Sequence, residues 1–398
     1  MNELGIIKDG AVLIQDGIIT AVGTTQALCT EKKPPLATVI DASGKAVLPG
    51  FVDPHTHLVF AGDRPDEFAA RLRGDHYLDI LARGGGILST VRATRRASMD
   101  MLSAGAIKHL NAFLAQGVTT VEGKSGYGLD LKTEVKQLQV MRTLNASHFV
   151  DIVPTYLGAH AISEEYAGNA DAYIQFMIDA VLPEVVSGEL AQFCDVFCEK
   201  NIFSVTQSRK LLEKAKMAGL KLKLHADEIT QIGGAELAAE LGAVSADHLL
   251  QASDEGIRQM ARAGVVAVLL PLTAFCLREP YPRARFIVDQ GCPVALATDL
   301  NPGSAFSGSI PLVIALATLT MGMTTEEVVS ALTLNAAAAV GRADTIGSID
   351  VGKKGDLILL AFPSYRYLPY HTGVNLVDTV VKDGSIVFEA KERKPGPC

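Results

Sequence analysis

Predicted strands and helices alternate along the middle of this 398-residue chain, and that alternation limits the folds it can adopt. The pattern predicts four apolar strands at residues 220–225, 243–248, 265–270 and 293–299. Helices are predicted before and between them, and two of these helices have serine at the N-cap, Ser204 and Ser253. Sustained alternation of this kind is typical of parallel strands with helices packed outside them.

Two architectures contain such units. A doubly wound sheet fits the pattern, but residues 49–349 also give enough chain for a (β/α)8 barrel, which needs roughly 250 residues. No Gly-x-Gly-x-x-Gly motif follows the first strand, and the chain has no Walker phosphate loop. A glycine run at residues 84–86 predicts only a flexible loop. We therefore predict an α/β fold in which residues 49–349 form a (β/α)8 barrel.

Both ends of the chain are rich in short strands and turns. Strands are predicted at residues 10–17, 18–23, 38–41, 355–361, 377–384 and 385–388. The first two form a hairpin with Asp16-Gly17 at its turn, and residues 32–35 predict a loop after it. Because both ends are rich in predicted strands, we predict that residues 1–48 and 350–398 together form one small β-sandwich-like domain.

The composition is that of an ordinary globular enzyme, with 48% hydrophobic and 20% charged residues. The net charge of −8 argues against nucleic acid or an anionic membrane as a partner. No apolar run reaches the roughly 20 residues of a transmembrane helix. The N-terminus lacks a basic segment followed by an apolar core, and the six cysteines are scattered. We therefore expect a cytoplasmic protein.

A His-x-His pair, His55 and His57, ends the apolar segment that follows Pro49-Gly50. Alternate side chains of a strand point to the same face, so both imidazoles would leave the strand end together. Two imidazoles in that arrangement can bind one metal ion. The pair predicts a metal site only if later strand ends supply further ligands.

Three later strands also end in polar residues, His225, His248 and Asp299. In a barrel these ends share one face, where catalytic groups collect. Three histidines and a carboxylate fit Zn²⁺ or iron with a position left for water, whose pKa the metal would lower toward about 7. Asp299 could instead cap a helix. His76, His109, His148 and His371 are interpreted as surface or packing residues, and Cys194 and Cys198 as buried thiols.

Three further residues, together with His248, are candidates for chemistry or substrate binding. Glu228 follows His225 closely enough to move protons between a water and a leaving nitrogen, and His248 could polarise a carbonyl instead of binding metal. Arg64 could form a forked contact with a carboxylate, and Tyr127 could donate a hydrogen bond. The plain alternatives for the last two are a solvated loop charge and a turn aromatic.

These residues together resemble the amidohydrolase superfamily and, within it, the imidazolonepropionase family. The resemblance covers the whole chain in order. Its motifs are His55-Thr-His-Leu-Val-Phe-Ala-Gly-Asp-Arg64, Glu122-Gly-Lys-Ser-Gly-Tyr127-Gly, Tyr156-Leu-Gly-Ala-His160, His225-Ala-Asp-Glu228, Ala246-Asp-His248, Pro271-Leu-Thr-Ala-Phe275 and Thr298-Asp-Leu-Asn-Pro-Gly-Ser304. Against the family pattern, the chain begins at the second N-terminal strand, so about one strand is expected to be absent from the small domain.

The resemblance implies hydrolysis of 4-imidazolone-5-propanoate to N-formimidoyl-L-glutamate in histidine degradation, by a homodimer. It implies one zinc or iron ion bound by His55, His57, His225 and Asp299. Catalysis would involve Glu228, His248 and Asp299. The implied substrate contacts are Arg64, Tyr127, His160, Asn301, Gly303 and Ser304.

Three rival functions stay open at this point. A deaminase of the same superfamily would use the same His-x-x-Glu chemistry and release ammonia. A binuclear, hydantoinase-like enzyme would need a carboxylated lysine, for which Lys124 and Lys200 lie near strand ends. A catalytically silent barrel used for binding would not need the intact ligand set.

Overall fold

The computed structural model of the chain describes residues 1, 3–28, 38–74 and 85–390. The predicted loop at residues 32–35, the first glycine of the 84–86 run and His76 lie outside these ranges, as do Cys29 and Cys398. Within them, the strands and helices predicted above are found in the predicted order, except for the strand at residues 38–41.

Eight parallel strands form the main sheet, and they are neighbours in chain order. They are β4 (Phe51–Asp53), β5 (Val118–Lys124), β6 (Asp151–Ala159), β7 (Phe193–Cys198), β8 (Lys221–Ala226), β9 (Ser245–His248), β10 (Val266–Leu269) and β11 (Val294–Leu296). Beyond the two outermost strands, a parallel bridge between Thr56 and Leu300 brings the first and last strands together. The sheet is thus a closed barrel, which confirms the (β/α)8 prediction and makes the doubly wound alternative wrong.

Helices surround the barrel, as parallel strands require. The α-helices are Thr25–Leu28, Pro65–Arg73, Ile87–Arg96, Met99–Leu114, Leu131–Asn145, Ala170–Phe176, Leu182–Ser187, Val205–Met217, Gly234–Leu241, Asp254–Ala263, Pro271–Leu277, Ala284–Asp289, Ile310–Leu319, Thr325–Leu332, Leu334–Ala339 and Tyr367–Tyr370. Ser204 and Ser253 cap their helices by accepting backbone N–H hydrogen bonds, as predicted. Among the described residues, no helix combines the length and apolar character needed to cross a membrane.

Residues from the two ends of the chain form two antiparallel sheets. β1 (Gly10–Gln15) and β2 (Ile18–Thr24) form the predicted hairpin, and the other sheet has the order β14 (Ser385–Glu389), β13 (Val377–Lys382), β12 (Leu357–Leu360) and β3 (Val47–Pro49). A bridge between Ile18 and Lys354 joins the hairpin to the C-terminal part. Division of the chain into two domains at residues 48 and 349 stays a prediction.

The strand predicted at residues 38–41 is wrong. Val47–Pro49 pairs with β12 instead, and β13 occupies the other side of β12. Ile40 still packs against the buried side chains of this sheet, Leu357 and Leu359. The apolar residues of the segment are therefore used for packing, without backbone pairing.

Candidate metal centre and active site

Polar side chains occupy the interior of the barrel near the carboxyl ends of its strands. Strand alternation puts Glu122 and Lys124 on one face of β5 and Lys223 and His225 on one face of β8. All four are buried. Because a buried charge is costly unless it is paired, these side chains must form ion pairs or hydrogen bonds with other buried groups.

The His-x-His pair lies just beyond β4, at the point where the barrel closes. Asp299 N donates to the His55 carbonyl at 3.1 Å, and His57 N donates to the Leu300 carbonyl at 3.0 Å. These bonds continue the ladder between the first and last strands. They bring Asp299, which follows β11 by three residues, beside both histidines.

The four predicted metal ligands converge in one buried cluster. The Nε2 atoms of His55 and His57 each lie 3.5 Å from Asp299 Oδ1. The His225 ring lies 4.6 Å from the His55 ring and 5.6 Å from the His57 ring, centroid to centroid. All four side chains are buried.

Two imidazole nitrogens in this cluster make it a candidate metal site. His55 Nε2 and His225 Nε2 are buried and form no hydrogen bond within the described part of the chain. An unsatisfied buried polar atom costs free energy, which a bound cation would remove. The donor set of three imidazoles and one carboxylate suits zinc or iron. The residues present therefore fit the metal that the sequence predicts.

Carboxylates behind the rings fix their orientation. His55 Nδ1 forms a hydrogen bond of 2.6 Å with Asp247 Oδ2, and His225 Nδ1 lies 3.0 Å from Asp195 Oδ2 in an ion-pair contact whose angle is not that of a hydrogen bond. A carboxylate behind a metal-binding histidine holds the Nδ1–H tautomer and leaves Nε2 free for the metal. Neither Asp195 nor Asp247 was assigned a role from the sequence. The available signal was a charged residue inside a strand, which is otherwise apolar in the case of Asp195.

The protonation states of His55 and His57 suit a metal, whereas the raised pKa of His225 favours its protonated form in the metal-free protein. Burial lowers the pKa of His55 and His57 well below the usual range, so both rings are neutral. Burial also lowers the pKa of His225, but the Asp195 carboxylate outweighs it and raises the pKa above its usual value. Burial raises the pKa of Asp299 from 3.8 to about 6. A hydrogen bond donated by the Thr273 hydroxyl acts in the opposite direction and lowers this pKa.

His248 reaches the site because its backbone is left-handed. Asp247 precedes it and faces the barrel interior, so regular alternation would point His248 away. At a φ of +76°, however, His248 lies with its ring centroid 5.1 Å from that of His225 and 5.4 Å from that of His55. A non-glycine residue adopts this backbone conformation at a cost, and such residues concentrate at functional sites.

Glu228 lies beside His248. Its Oε1 is 3.5 Å from His248 Nδ1, and its side chain is 14% exposed. Burial, and then the negative charge of Asp299, raise the pKa of Glu228 from 4.5 to about 8. A carboxyl group whose pKa lies near neutrality can both take up and release a proton during turnover.

The segment that carries Glu228 is held on both sides by buried carboxylates. Asp227 accepts backbone N–H bonds from the four residues 232–235. Glu199 Oε2 accepts from the N–H groups of Ile229 and Thr230 at 2.9 and 3.1 Å. Glu228 is thus presented from a fixed backbone.

In the metal-free protein, we expect Glu228→Gln to increase stability at alkaline pH. The pKa of Glu228 is higher in the folded state, so its ionisation opposes folding progressively between about pH 4.5 and pH 8. Glutamine removes this cost, so the variant should be about 1–3 kcal/mol more stable at pH 9 and nearly equal at pH 5. Urea unfolding of both metal-free proteins at the two pH values measures the difference. Equal stability at pH 9 would contradict the buried, protonated state of Glu228.

Tyr127 and His160 form an aromatic wall next to the histidines. The His160 ring stacks on the His57 ring, with centroids 4.8 Å apart and an interplanar angle of 11°. The Tyr127 ring lies 5.3 Å from that of His160. Burial, followed by the charge of His225, lowers the pKa of His160 to about 3, so this ring is neutral.

Buried side chains of the helix Leu131–Asn145 hold the Tyr127 loop. Glu134 accepts N–H bonds from Gly126, Gly128 and Leu129 at 2.8–3.0 Å. Gln137 accepts from Tyr127 N at 3.3 Å. The sequence did not reveal these supports, because they depend on how the helix packs against the loop.

Arg64 is a largely buried cation with unused donor capacity. Its side chain is 11% exposed, and among the described residues its nearest acidic group is that of Glu67, at 3.6 Å. Arg64 Nε forms no hydrogen bond among the described residues. A side chain at residue 303 would collide with the guanidinium group, since a Cβ built on Gly303 lies 2.0 Å from Nη2. The glycine therefore leaves space for an arginine able to receive an anion.

Asn301 organises the loop that contains Gly303 and Ser304. Its Oδ1 accepts from the N–H groups of Gly303 and Ser304, both at 2.8 Å, and its Nδ2 donates to the Asp299 carbonyl at 2.7 Å. All predicted ligands and contacts thus lie on loops or strand ends at the carboxyl face of the barrel. Their individual roles stay predictions.

Neither lysine proposed for a binuclear centre is arranged for that chemistry. Lys124 is buried in ion pairs with Glu122, Asp195 and Asp247, and Lys200 is exposed. Burial lowers the pKa of Lys124, but the three carboxylates outweigh it and hold the pKa above its usual value. A protonated amine in ion pairs is not available for carboxylation.

Comparison with known proteins agrees with this geometry. Residues 46–387 match the model of the amidohydrolase family. The imidazolonepropionase of Clostridium tetani is 58% identical over 389 residues, covering 98% of this chain and 93% of that protein. The imidazolonepropionase of Bacteroides thetaiotaomicron is 57% identical over 388 residues, covering 97% and 93%.

Solved structures of low sequence identity share the fold. A 5-methylcytosine deaminase from Klebsiella pneumoniae liganded with phosphonocytosine superposes with a TM-score of 0.74 at 17% identity, covering 97% of this chain and 96% of that chain. An adenosine deaminase from Xanthomonas campestris with bound zinc superposes with a TM-score of 0.68 at 20% identity, covering 96% and 89%. These likenesses concern the architecture alone.

Proposed function

Because this chain belongs to the amidohydrolase family and, within it, to the imidazolonepropionases, we propose that it hydrolyses 4-imidazolone-5-propanoate to N-formimidoyl-L-glutamate in histidine degradation. One observation carries the proposal: His55, His57 and Asp299 converge in a buried cluster, and His160, stacked on His57, lies within electrostatic reach of Arg64, whose Nε donor is unused among the described residues. The cluster suits hydrolysis of a ring amide. The arginine suits the propanoate carboxylate.

One zinc or iron ion is proposed at His55, His57, His225 and Asp299. The support is their convergence and the unsatisfied Nε2 atoms of His55 and His225. When bound, such a cation supplies Lewis acidity and makes water nucleophilic near neutral pH. Metal analysis of the purified protein distinguishes zinc from iron.

The protein's own groups are proposed to handle the protons and the developing charge. Water adds to the ring carbonyl carbon, the bond from this carbon to the ring nitrogen breaks, and the nitrogen leaves with a proton. Glu228 takes a proton from the attacking water and delivers it to the departing nitrogen. Neutral His248, 3.5 Å from Glu228, stabilises the charge that develops on the carbonyl oxygen, with Asp299 alongside.

Substrate orientation is proposed to come from the other side of the cavity. Arg64 binds the propanoate carboxylate in a forked contact, while Tyr127 and His160 contact the ring. Asn301, Gly303 and Ser304 complete the cavity through their loop. This arrangement would select an acid over an uncharged ring.

Arg64→Met is expected to raise KM for imidazolone propanoate, because the variant retains the length of the side chain and loses the charge. Loss of a charge-assisted hydrogen bond costs about 1.5–3 kcal/mol, which corresponds to about 10- to 150-fold in kcat/KM. Steady-state kinetics measure the effect. Arg73→Met, at the end of the helix that Arg64 precedes, is the control. An unchanged KM in Arg64→Met would exclude the contact with the carboxylate.

The reaction itself is tested by following the absorbance of imidazolone propanoate together with metal content in the same sample. We expect substrate loss with formation of N-formimidoyl-L-glutamate, dependent on bound metal. Ammonia release without this product would favour a deaminase. Failure to bind any divalent metal would favour a barrel used only for binding.

A homodimer in the cytoplasm is also proposed, with the family resemblance as its support. The proposed domain division, with residues 1–48 and 350–398 around the barrel at 49–349, is supported by the bridge between Ile18 and Lys354. Light scattering of the full-length protein tests the oligomeric state.

A further inference from the structure

Five buried charged residues form a cluster directly behind the metal ligands. These residues, called here the ion cluster, are Glu122, Lys124, Asp195, Lys223 and Asp247. Their side chains are fully buried. The proposed reaction uses none of them directly. Their cost of burial is nevertheless large, which calls for a role.

Lys124 is the member that joins the others. Its Nζ donates to Asp195 Oδ2 at 2.7 Å, to Glu122 Oε1 at 3.0 Å and to Asp247 Oδ2 at 3.3 Å. These three carboxylates come from three strands, β5, β7 and β9. One ammonium group therefore links strands on different sides of the barrel.

The oxygens that Lys124 binds are the ones that face the metal ligands. Asp247 Oδ2 lies 2.6 Å from His55 Nδ1, and Asp195 Oδ2 lies 3.0 Å from His225 Nδ1. Each oxygen is thus held between an ammonium group and an imidazole. Asp195 is held further through Oδ1, which accepts a hydrogen bond from the backbone N–H of His225 at 3.1 Å.

Without the ammonium group, two buried carboxylates would face each other behind the histidines. Neighbouring like charges in a buried site repel strongly, so one carboxylate would move or take up a proton. Either change alters the partner of an imidazole Nδ1. The direction in which the ring presents Nε2 would then no longer be fixed.

We propose that Lys124 is a positioning residue that holds Asp195 and Asp247 together and, through them, fixes the rings of His225 and His55 for metal binding. The proposal rests on the metal site of the proposed function. It goes beyond that function by assigning a role to a residue that touches neither metal nor substrate.

Zinc affinity of the metal-free protein tests the role. Lys124→Met is expected to raise the zinc dissociation constant 10- to 100-fold, the range typical for loss of a group that supports a metal ligand. Competition with a chromophoric chelator measures it. Charge alone predicts the opposite, because removing a cation near a metal site should tighten binding. An unchanged or smaller dissociation constant therefore overturns the proposal.

Lys223→Met is the matched control. Lys223 is a buried lysine of the same cluster, and its Nζ donates to the Pro54 carbonyl at 3.1 Å and contacts Glu122 Oε2 at 3.0 Å. Neither partner supports a histidine ring. We expect its zinc affinity to stay within about threefold of wild type. If both variants lose affinity equally, the effect is general damage to the ion cluster and the proposal fails.

Two further measurements keep the outcome decisive. Circular dichroism and urea midpoints of the metal-free variants report folding apart from metal binding. If Lys124→Met does not fold, Lys124→Gln, which also removes the positive charge, takes its place, and it must weaken zinc binding at least tenfold. Wild-type protein that binds no zinc would contradict the proposed function itself, a result separate from any difference among the variants.

Discussion

Glu228→Gln is expected to lower kcat by about 10²- to 10⁴-fold while metal content stays at the wild-type level. Glutamine keeps the size of the side chain but cannot accept a proton from water or return one to nitrogen. Glu228 is not among the four proposed ligands, and its nearest histidine nitrogen is His248 Nδ1, at 3.5 Å. The loss should therefore appear in kcat without a matching loss of metal.

Steady-state assays with metal analysis of the same samples give both quantities. Glu213→Gln, an exposed carboxylate on the helix Val205–Met217, is the control for a change of charge. Near-normal turnover in Glu228→Gln would exclude proton transfer by this residue. The stability increase expected for the same variant has the same cause, since burial that tunes a carboxyl group for catalysis also makes its ionised form costly.

His225→Ala should lose both metal and activity. Removing one of four proposed ligands is expected to weaken metal binding more than about 100-fold, beyond the effect of losing a supporting group. It also leaves Asp195 Oδ2 without the imidazole that now lies 3.0 Å away. Zinc titration of the metal-free variant and metal analysis after purification measure the loss.

His371→Ala is the control for His225→Ala, because His371 packs with Phe362 and Tyr367 away from the cavity. It should retain full metal content. A His225→Ala protein with full metal occupancy would rule out ligation by His225. A variant that keeps metal but loses activity would indicate that His225 takes part in the reaction without binding the metal.

The barrel could be predicted because its signals are local. The apolar strands, the spacing between them and the caps at Ser204 and Ser253 are all contained in short windows of sequence. Residues 38–41 had the same local signal, but their pairing depended on which segment occupied the edge of β12. That outcome is decided by tertiary structure.

Candidate site residues could be predicted where they lie at or just beyond the end of a strand. His55, His57 and His225 followed from their positions in apolar segments, although β4 ends before His55. The orientation of His248 could not be predicted, since it requires a φ of +76°. Asp195 and Asp247 were missed because their role depends on which side chains lie at the same height along the barrel axis.

The seam where the barrel closes has a consequence for the order of folding. Asp53 accepts hydrogen bonds from Thr298, and these residues are 245 positions apart in the sequence. His55 and Asp299 lie on either side of this seam, so their ligand atoms meet only after nearly the whole barrel has assembled. Contacts so distant in sequence form slowly. The metal should therefore bind late in folding and hold together the strands that join last.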